Sequence, residues 1–302
     1  MSDPDSSNRQ ETPEMIRLSQ PNNTIMEWFC NVLWGGNSFV KQSFRIPGMA
    51  GCVLSIPHGD DASGGDIYHI TVCGHGVFSK FLLVDAMGHG RKAAVLSQAL
   101  LEPLKCLATE LDNRVILGEL NRIIQEQAAT GNFATAVAAT FNSWDSSWTY
   151  AYAGHPPMLI CRDGHWESLE KPGDRVLPVG IIQGICFQQS MVTLQPGNWL
   201  LLYSDALTDI MTAHAKERDT ILALCDVLNS IDTDHVETFH AALTGRLIDL
   251  NGGTRFGDDL TFIVLRHDTP HAETLTSRWC DPALRKGRKM MMKIMRWLND
   301  IR

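Results

Sequence analysis

Ser63-Gly64-Gly65-Asp66-Ile67-Tyr68-His69-Ile70-Thr71-Val72-Cys73-Gly74-His75-Gly76-Val77-Phe78-Ser79-Lys80-Phe81-Leu82-Leu83-Val84-Asp85 decides the reading of this chain. Two apolar runs rich in β-branched and aromatic residues are separated by a glycine turn, which predicts two short strands over Ile67–Val72 and Phe78–Val84. Asp66 opens the first and Asp85 closes the second. The pattern recurs downstream, where Asp205 closes Leu201-Leu202-Tyr203-Ser204-Asp205 and Asp258 stands just before Leu260-Thr261-Phe262-Ile263-Val264-Leu265. In an antiparallel sheet the end of one strand lies beside the start of its neighbour, so these carboxylates can share one rim. Crowded carboxylates repel unless a cation neutralises them. An all-oxygen cluster suits Mg²⁺ or Mn²⁺, and the pattern reads as a two-metal hydrolytic site. A single Asp at a strand end more often forms a turn, so the weight lies on the four together.

The rest of the chain fits a soluble globular protein. Hydrophobic residues make up 44% and charged residues 20% of the 302 positions, enough for a sizeable core. A net charge of −8 argues against a nucleic-acid-binding role. Residues 283–302 carry seven basic side chains against Asp300, a local +6 that leaves −14 on the remainder. The eight cysteines form no Cys-x-x-Cys pair, and scattered thiols point to a reducing compartment. With no basic-flanked apolar stretch at the N-terminus and no bilayer-length segment, a cytoplasmic location is expected.

Residues 1–23 are polar, contain Pro4, Pro13 and Pro21, and read as disordered. A helix is expected from Thr24, where Thr24-Ile25-Met26-Glu27 has capping-box spacing and Gly35-Gly36 supply a stop. Residues 24–43 thus read as a linker helix, 44–268 as the main domain, and 269–302 as a linker with a C-terminal helix. Within the main domain, strands are expected at Cys52–Ile56, Ile67–Val72, Phe78–Val84, Phe133–Phe141, Trp148–Ala153, Met158–Cys161, Phe187–Leu194, Trp199–Tyr203 and Leu260–Arg266. Helices are expected at Lys92–Glu110 with a kink or break at Pro103, then at Arg114–Ala128, Thr208–Lys216, Thr220–Leu228 and Val236–Leu250. Strands in groups followed by helices in groups indicate an α+β fold with segregated helices.

Six segments in this order carry a resemblance. They are Ser63-Gly64-Gly65-Asp66, Asp85-Ala86-Met87-Gly88-His89-Gly90, Ala153-Gly154-His155-Pro156-Pro157, Leu177-Pro178-Val179-Gly180, Tyr203-Ser204-Asp205-Ala206-Leu207-Thr208-Asp209 and Gly257-Asp258-Asp259-Leu260-Thr261. Over roughly residues 44–266 the chain resembles the metal-dependent (protein phosphatase 2C-like) protein phosphatases, in their bacterial SpoIIE/RsbU-type branch. The resemblance implies a four-layer αββα sandwich with a dinuclear Mn²⁺ or Mg²⁺ centre at one end. It also implies that Asp85 bridges both metals, with the backbone carbonyl of Ala86 on one of them and Asp205 and Asp258 on the other. Asp66 would bind directly or through water, and Asp209 matches a position that in some relatives helps hold a third, looser ion. The implied activity is hydrolysis of phosphoserine or phosphothreonine on a regulatory protein such as a STAS-type anti-sigma factor antagonist.

A water between two divalent ions has a lowered pKa, so in-line attack needs no covalent intermediate. His89 or His155 would protonate the leaving oxygen. The plainer roles are backbone support for His89 and a turn for His155. Asp259 reads as a turn or supporting residue. Two positions depart from the family pattern. His69 stands where many relatives carry a second aspartate, with an expected effect on the outer part of the site, and Ala206 replaces a glycine, with an expected change of turn. These departures motivate a competing reading, a phosphatase-shaped binding module without turnover. A third reading, a two-metal nuclease, is disfavoured by the acidic body.

In the tail, Met291, Ile294, Leu298 and Ile301 share one helical face opposite Lys289, Lys293, Arg296 and Asp300. Packing of that helix on its own acidic body is favoured over contact with an anionic membrane surface. With no sensor domain in residues 1–43, regulation is expected from the terminal helices, a homodimer, or a separate partner.

Overall fold

The structure, a computed structural model, describes residues 26–27, 32–59, 61–73, 76–88, 90–127, 132–171, 173–174, 177–215 and 219–268. The chain begins with β1 (Met26–Glu27), β2 (Val32–Gly36), β3 (Val40–Ile46), β4 (Met49–Ile56), β5 (Asp66–Cys73) and β6 (Phe78–Ala86). Helices α1 (Arg91–Cys106) and α2 (Asn113–Gln127) follow, then β7 (Ala134–Asn142), β8 (Ser147–Ala153), β9 (Leu159–Arg162), β10 (His165–Ser168), β11 (Ser190–Thr193) and β12 (Trp199–Tyr203). Helices α3 (Ala206–Ala215), α4 (Thr220–Asn229) and α5 (Val236–Asn251) precede the last strand, β13 (Leu260–His267).

These strands form a seven-stranded sheet, ordered β1-β3-β4-β13-β12-β9-β10, and a six-stranded sheet, ordered β11-β8-β7-β6-β5-β2. All neighbours are antiparallel except the short β1–β3 pair. The period-two alternation of the central strands divides their side chains between two cores. In β6, Phe81 and Leu83 enter the core between the sheets, while Leu82, Val84 and Ala86 enter the core under α1 and α2. In the other sheet, Phe262 and Val264 of β13 meet α3, α4 and α5, while Ile263 and Leu265 face the partner sheet. Each such fully buried Leu or Phe contributes about 1.5–3 kcal/mol of burial free energy. The result is the expected α+β, four-layer αββα sandwich.

Several elements differ from expectation. The segment expected to form a helix from Thr24 instead contains β1 and β2, and β2 pairs antiparallel with β5 at the edge of the six-stranded sheet. Gly35 serves close approach, not helix termination: a Cβ there would lie 2.6 Å from the Tyr68 carbonyl. Residues 32–43, assigned by sequence to a linker, therefore supply β2 and the start of β3. Helix α1 is not broken at Pro103, which sits one turn before its end. The carbonyls of Leu107 and Glu110, past that end, accept hydrogen bonds of 2.7 and 2.8 Å from the buried Lys80 Nζ on β6. Strands β3 and β10 were not anticipated, and β11 is shorter than the run Phe187–Leu194. Residues 1–25 and the basic segment 269–302 lie outside the described residues. Among the described residues no helix is long and apolar enough to cross a membrane.

Candidate active site

Asp66 and Asp85 are direct cross-strand partners on β5 and β6. Asp66 shares its strand face with Tyr68, Ile70 and Val72, and Asp85 shares its face with Phe81 and Leu83, all of which lie in the core between the sheets. Both carboxylates therefore stand on the inner faces of the sandwich, at its rim. The opposite sheet supplies the other two. Asp205 lies just beyond β12 and Asp258 just before β13, strands paired through Tyr203 and Phe262. The structure thus brings Asp66, Asp85, Asp205 and Asp258 to one end of the two sheets.

Electrostatics agree with the proximity. Burial, then the charge of Asp85, raises the pKa of Asp66 well above the usual carboxylate range, against a lowering effect of the Ser204 and Thr261 side chains. Asp85 is raised in the same way by burial and then by Asp205, Asp258, Asp259 and Asp209. Asp205 is pushed up to about 6, by burial and then by Asp209 and Asp258, and its side chain is within hydrogen-bonding reach of Asp85. Asp209, exposed in the first turn of α3, is raised by burial and then by Asp258. The backbone carbonyl of Ala86 faces Gly65, 3.2 Å from where a Cβ would stand. A cleft of about 310 Å³ opens beside Asp209 and Asp258, lined also by Ile210, His214 and Phe256.

The loop before Asp66 is held from several sides. Asp259, only 4% exposed, accepts the Gly65 and His58 backbone N–H groups at 2.6 Å each, one on each carboxylate oxygen. Its carboxylate fills the space of a Gly64 side chain, with Cγ 2.6 Å from a Cβ placed there. The Gly64 N–H donates to the Asn37 carbonyl at 2.6 Å, and Asn37 Nδ2 donates to the Gly64 carbonyl at 3.2 Å. From α1, Ser97 Oγ donates to the Gly65 carbonyl. Behind Asp66, Ser55 and Thr261 share a 2.9 Å hydrogen bond, and the Thr261 N–H donates to Ser204 Oγ at 3.0 Å. Sequence reasoning missed Asn37, Ser97 and Ser204. Only Ser204, inside the Tyr203-Ser204-Asp205 motif, carried a signal that could have found it.

The histidines separate cleanly. His155 is 1% exposed, burial pushes it down to about 3, and its Nδ1 shares a 2.7 Å hydrogen bond with Thr135, the cross-strand partner of Asp85. A buried neutral imidazole bonded to Thr135 supports the strand beneath Asp85 and is not the imidazolium that an acid catalyst uses. His69 lies on the opposite face of β5 from Asp66, buried and pushed down to about 4 by its burial, so it does not reach the site. Ala206 begins α3, where an ordinary helical backbone needs no glycine. His69 thus stands on the face away from the carboxylate cluster, and Ala206 lies in regular helix. His89 lies outside the described residues.

Among the described residues, no three His, Cys, Asp or Glu side chains are already gathered into a ligand set. The donor chemistry nevertheless fits a hard divalent cation. The buried Asp66 Oδ2 has no hydrogen-bond partner, and burial with mutual repulsion raises the pKa values of Asp66, Asp85 and Asp205. A cation would relieve both conditions.

Comparison with known proteins agrees with this arrangement. The chain is 28% identical over 207 residues to phosphoserine phosphatase RsbU of Bacillus subtilis (strain 168), an alignment covering 67% of this chain and 59% of RsbU. The chain thus spans only about three fifths of that relative. Its fold superposes on the RsbU and RsbW domains of Rv1364c from Mycobacterium tuberculosis with a TM-score of 0.62 at 22% identity, covering 77% of this chain and 63% of that one. It matches equally well the PP2C phosphatase domain and regulatory-domain fragment of the cell fate determinant SpoIIE from Bacillus subtilis, with a TM-score of 0.62 at 18% identity, covering 79% of this chain and 64% of that one. The family described as stage II sporulation protein E (SpoIIE) matches residues 79–268, and this chain belongs to it.

Proposed function

We propose that this chain is a Mn²⁺- or Mg²⁺-dependent protein phosphatase acting on phosphoserine or phosphothreonine of a regulatory protein. One observation carries the reading: carboxylates from both sheets converge at one rim, where burial and mutual repulsion raise their pKa values. When bound there, a pair of divalent ions would supply a water of lowered pKa and neutralise phosphoryl oxygens. Asp85, with Asp66 across the ladder and Asp205 within hydrogen-bonding reach, would contact both ions. Asp66 and the Ala86 carbonyl would serve one side, Asp205 and Asp258 the other, and Asp209 a third, outer ion. Asp259, with both oxygens engaged by backbone N–H groups, holds the loop of Asp66 and is not a ligand. With His155 buried and neutral, His89 is the candidate donor to the leaving oxygen.

The protein-level activity is supported by the relative named phosphoserine phosphatase and by membership of the SpoIIE family. A STAS-type anti-sigma factor antagonist is the substrate class we propose on that basis. The test is hydrolysis of p-nitrophenyl phosphate by the purified chain with Mn²⁺, Mg²⁺ or chelator. We expect metal-dependent turnover that Asp205→Ala lowers by about a hundredfold or more. Tight partner binding without turnover in any divalent ion would instead establish a phosphatase-shaped binding module.

A further inference from the structure

The rim of the carboxylate cluster continues into a surface of opposite character. Asp85 is followed by Ala86, which pairs with Ala134 of β7, and Ala134 in turn bridges Val179 through hydrogen bonds of 2.9 and 3.0 Å. Two strand spacings, about 10 Å, therefore separate the cluster's edge from the segment at Val179. Around Val179, Leu177, Ile181 and Ile182 are 45%, 46% and 47% exposed, and Met87, at the cluster's own edge, is 50% exposed.

This is not a loosely held loop that happens to be apolar. Val179 is fully buried, the Gly180 N–H donates to Asn121 Oδ1 at 2.7 Å, and Asn121 Nδ2 donates to the Ile182 carbonyl at 3.0 Å. Asn121, 4% exposed on α2, thus fixes the backbone on both sides of Ile181 while the isoleucine side chains face outward. Charge is absent as well. Residues 177–189 contain no Asp, Glu, Lys or Arg in a chain that is 20% charged, although most of 181–189 is exposed. Depletion of charge around exposed apolar side chains is the composition of an interface core.

The acidic rim gives this surface a purpose. A phosphate dianion meets Asp66, Asp85, Asp205, Asp209, Asp258 and Asp259, so these side chains offer it no attraction. The divalent ions proposed above would hold the phosphate of any phosphoester alike, so discrimination between phosphoproteins has to come from contacts away from the phosphate. We infer that Leu177, Ile181 and Ile182 form the docking lip for the substrate, receiving uncharged apolar residues that flank its phosphorylated serine or threonine. The inference rests on the phosphatase reading and deepens it.

The test uses the full chain and two synthetic phosphoserine peptides. One carries Leu, Ile and Phe around the phosphoserine, the other Ser, Asn and Gln at those positions. With Mn²⁺ present, the wild type is expected to show a kcat/KM about tenfold higher on the apolar peptide. The L177S/I181S/I182S variant should erase that preference and retain p-nitrophenyl phosphate turnover, because the aryl phosphate is too small to span from the cluster to the lip. Fluorescence anisotropy of the labelled peptides reads docking independently of chemistry. Tighter binding of the apolar peptide, lost in the variant, alongside no turnover of any ester, would sink the phosphatase reading and leave the lip standing. Equal use and equal binding of both peptides by the wild type, or an unchanged preference in the variant, would overturn the lip. So would a dimer that the variant dissolves in sedimentation, since the face would then belong to a second copy of the chain.

Discussion

At the scale of single residues, the site is built as much from missing side chains as from acidic ones. Gly64 has no room for a methyl group because the carboxylate carbon of Asp259 stands 2.6 Å from its would-be Cβ. Gly64→Ala is therefore expected to cost about 1–3 kcal/mol in urea unfolding, as an overpacked site does. Gly118, inside α2 with nothing within 4 Å of an added methyl, is the contrasting case. Gly118→Ala should stabilise by about 0.5–1 kcal/mol through helix propensity alone. Asp205 carries a pH signature. Its folded pKa of about 6 exceeds the reference 3.8, so between those values the folded state holds more protons than the unfolded one. Stability of the metal-free protein then falls as pH rises through that window. Thermal melts should show Asp205→Asn gaining on the wild type from about pH 4 to pH 6 and matching it below, where Asp205 is protonated in both states. A difference independent of pH would contradict the assignment.

At the scale of elements, β2 and the turn after it hold the loop before Asp66, although the family match begins only at residue 79. Asn37 reaches the Gly64 carbonyl from this segment. Asn37→Ala should leave the sheets intact and weaken Mn²⁺ binding about tenfold in calorimetry, the usual effect of removing a support behind a ligand. The strands carrying Asp66, Asp85, Asp205 and Asp258 were legible because apolar alternation ends abruptly at each aspartate. Helices α1 to α5 were legible from their apolar spacing. The β2 region was not. Thr24-Ile25-Met26-Glu27 imitates a capping box, and only pairing with β5, a contact distant in sequence, makes Val32–Gly36 a strand. Asn37 was invisible for the same reason, since its partner Gly64 lies 27 residues away. Strand β10 was lost because Trp166 is its only buried residue.

At the scale of the whole molecule, three buried histidines set the acid limit. His69 is held down to about 4 and His155 and His240 to about 3, in each case mainly by burial. The unfolded chain binds protons at these rings near pH 6.5 while the folded one does not, so stability present above that pH is lost as pH falls. His240, its ring tilted against Phe262 with centroids 5.1 Å apart, offers a clean test. His240→Leu should gain on the wild type by up to about 1.4 kcal/mol for each pH unit below 6.5, read from urea midpoints. A second consequence comes from the provenance of the four aspartates. Asp66 and Asp85 ride on one layer, Asp205 and Asp258 on the other. An ion held among them would act as a rivet through both layers, so prying the sandwich apart at that end and releasing the ion would become one event.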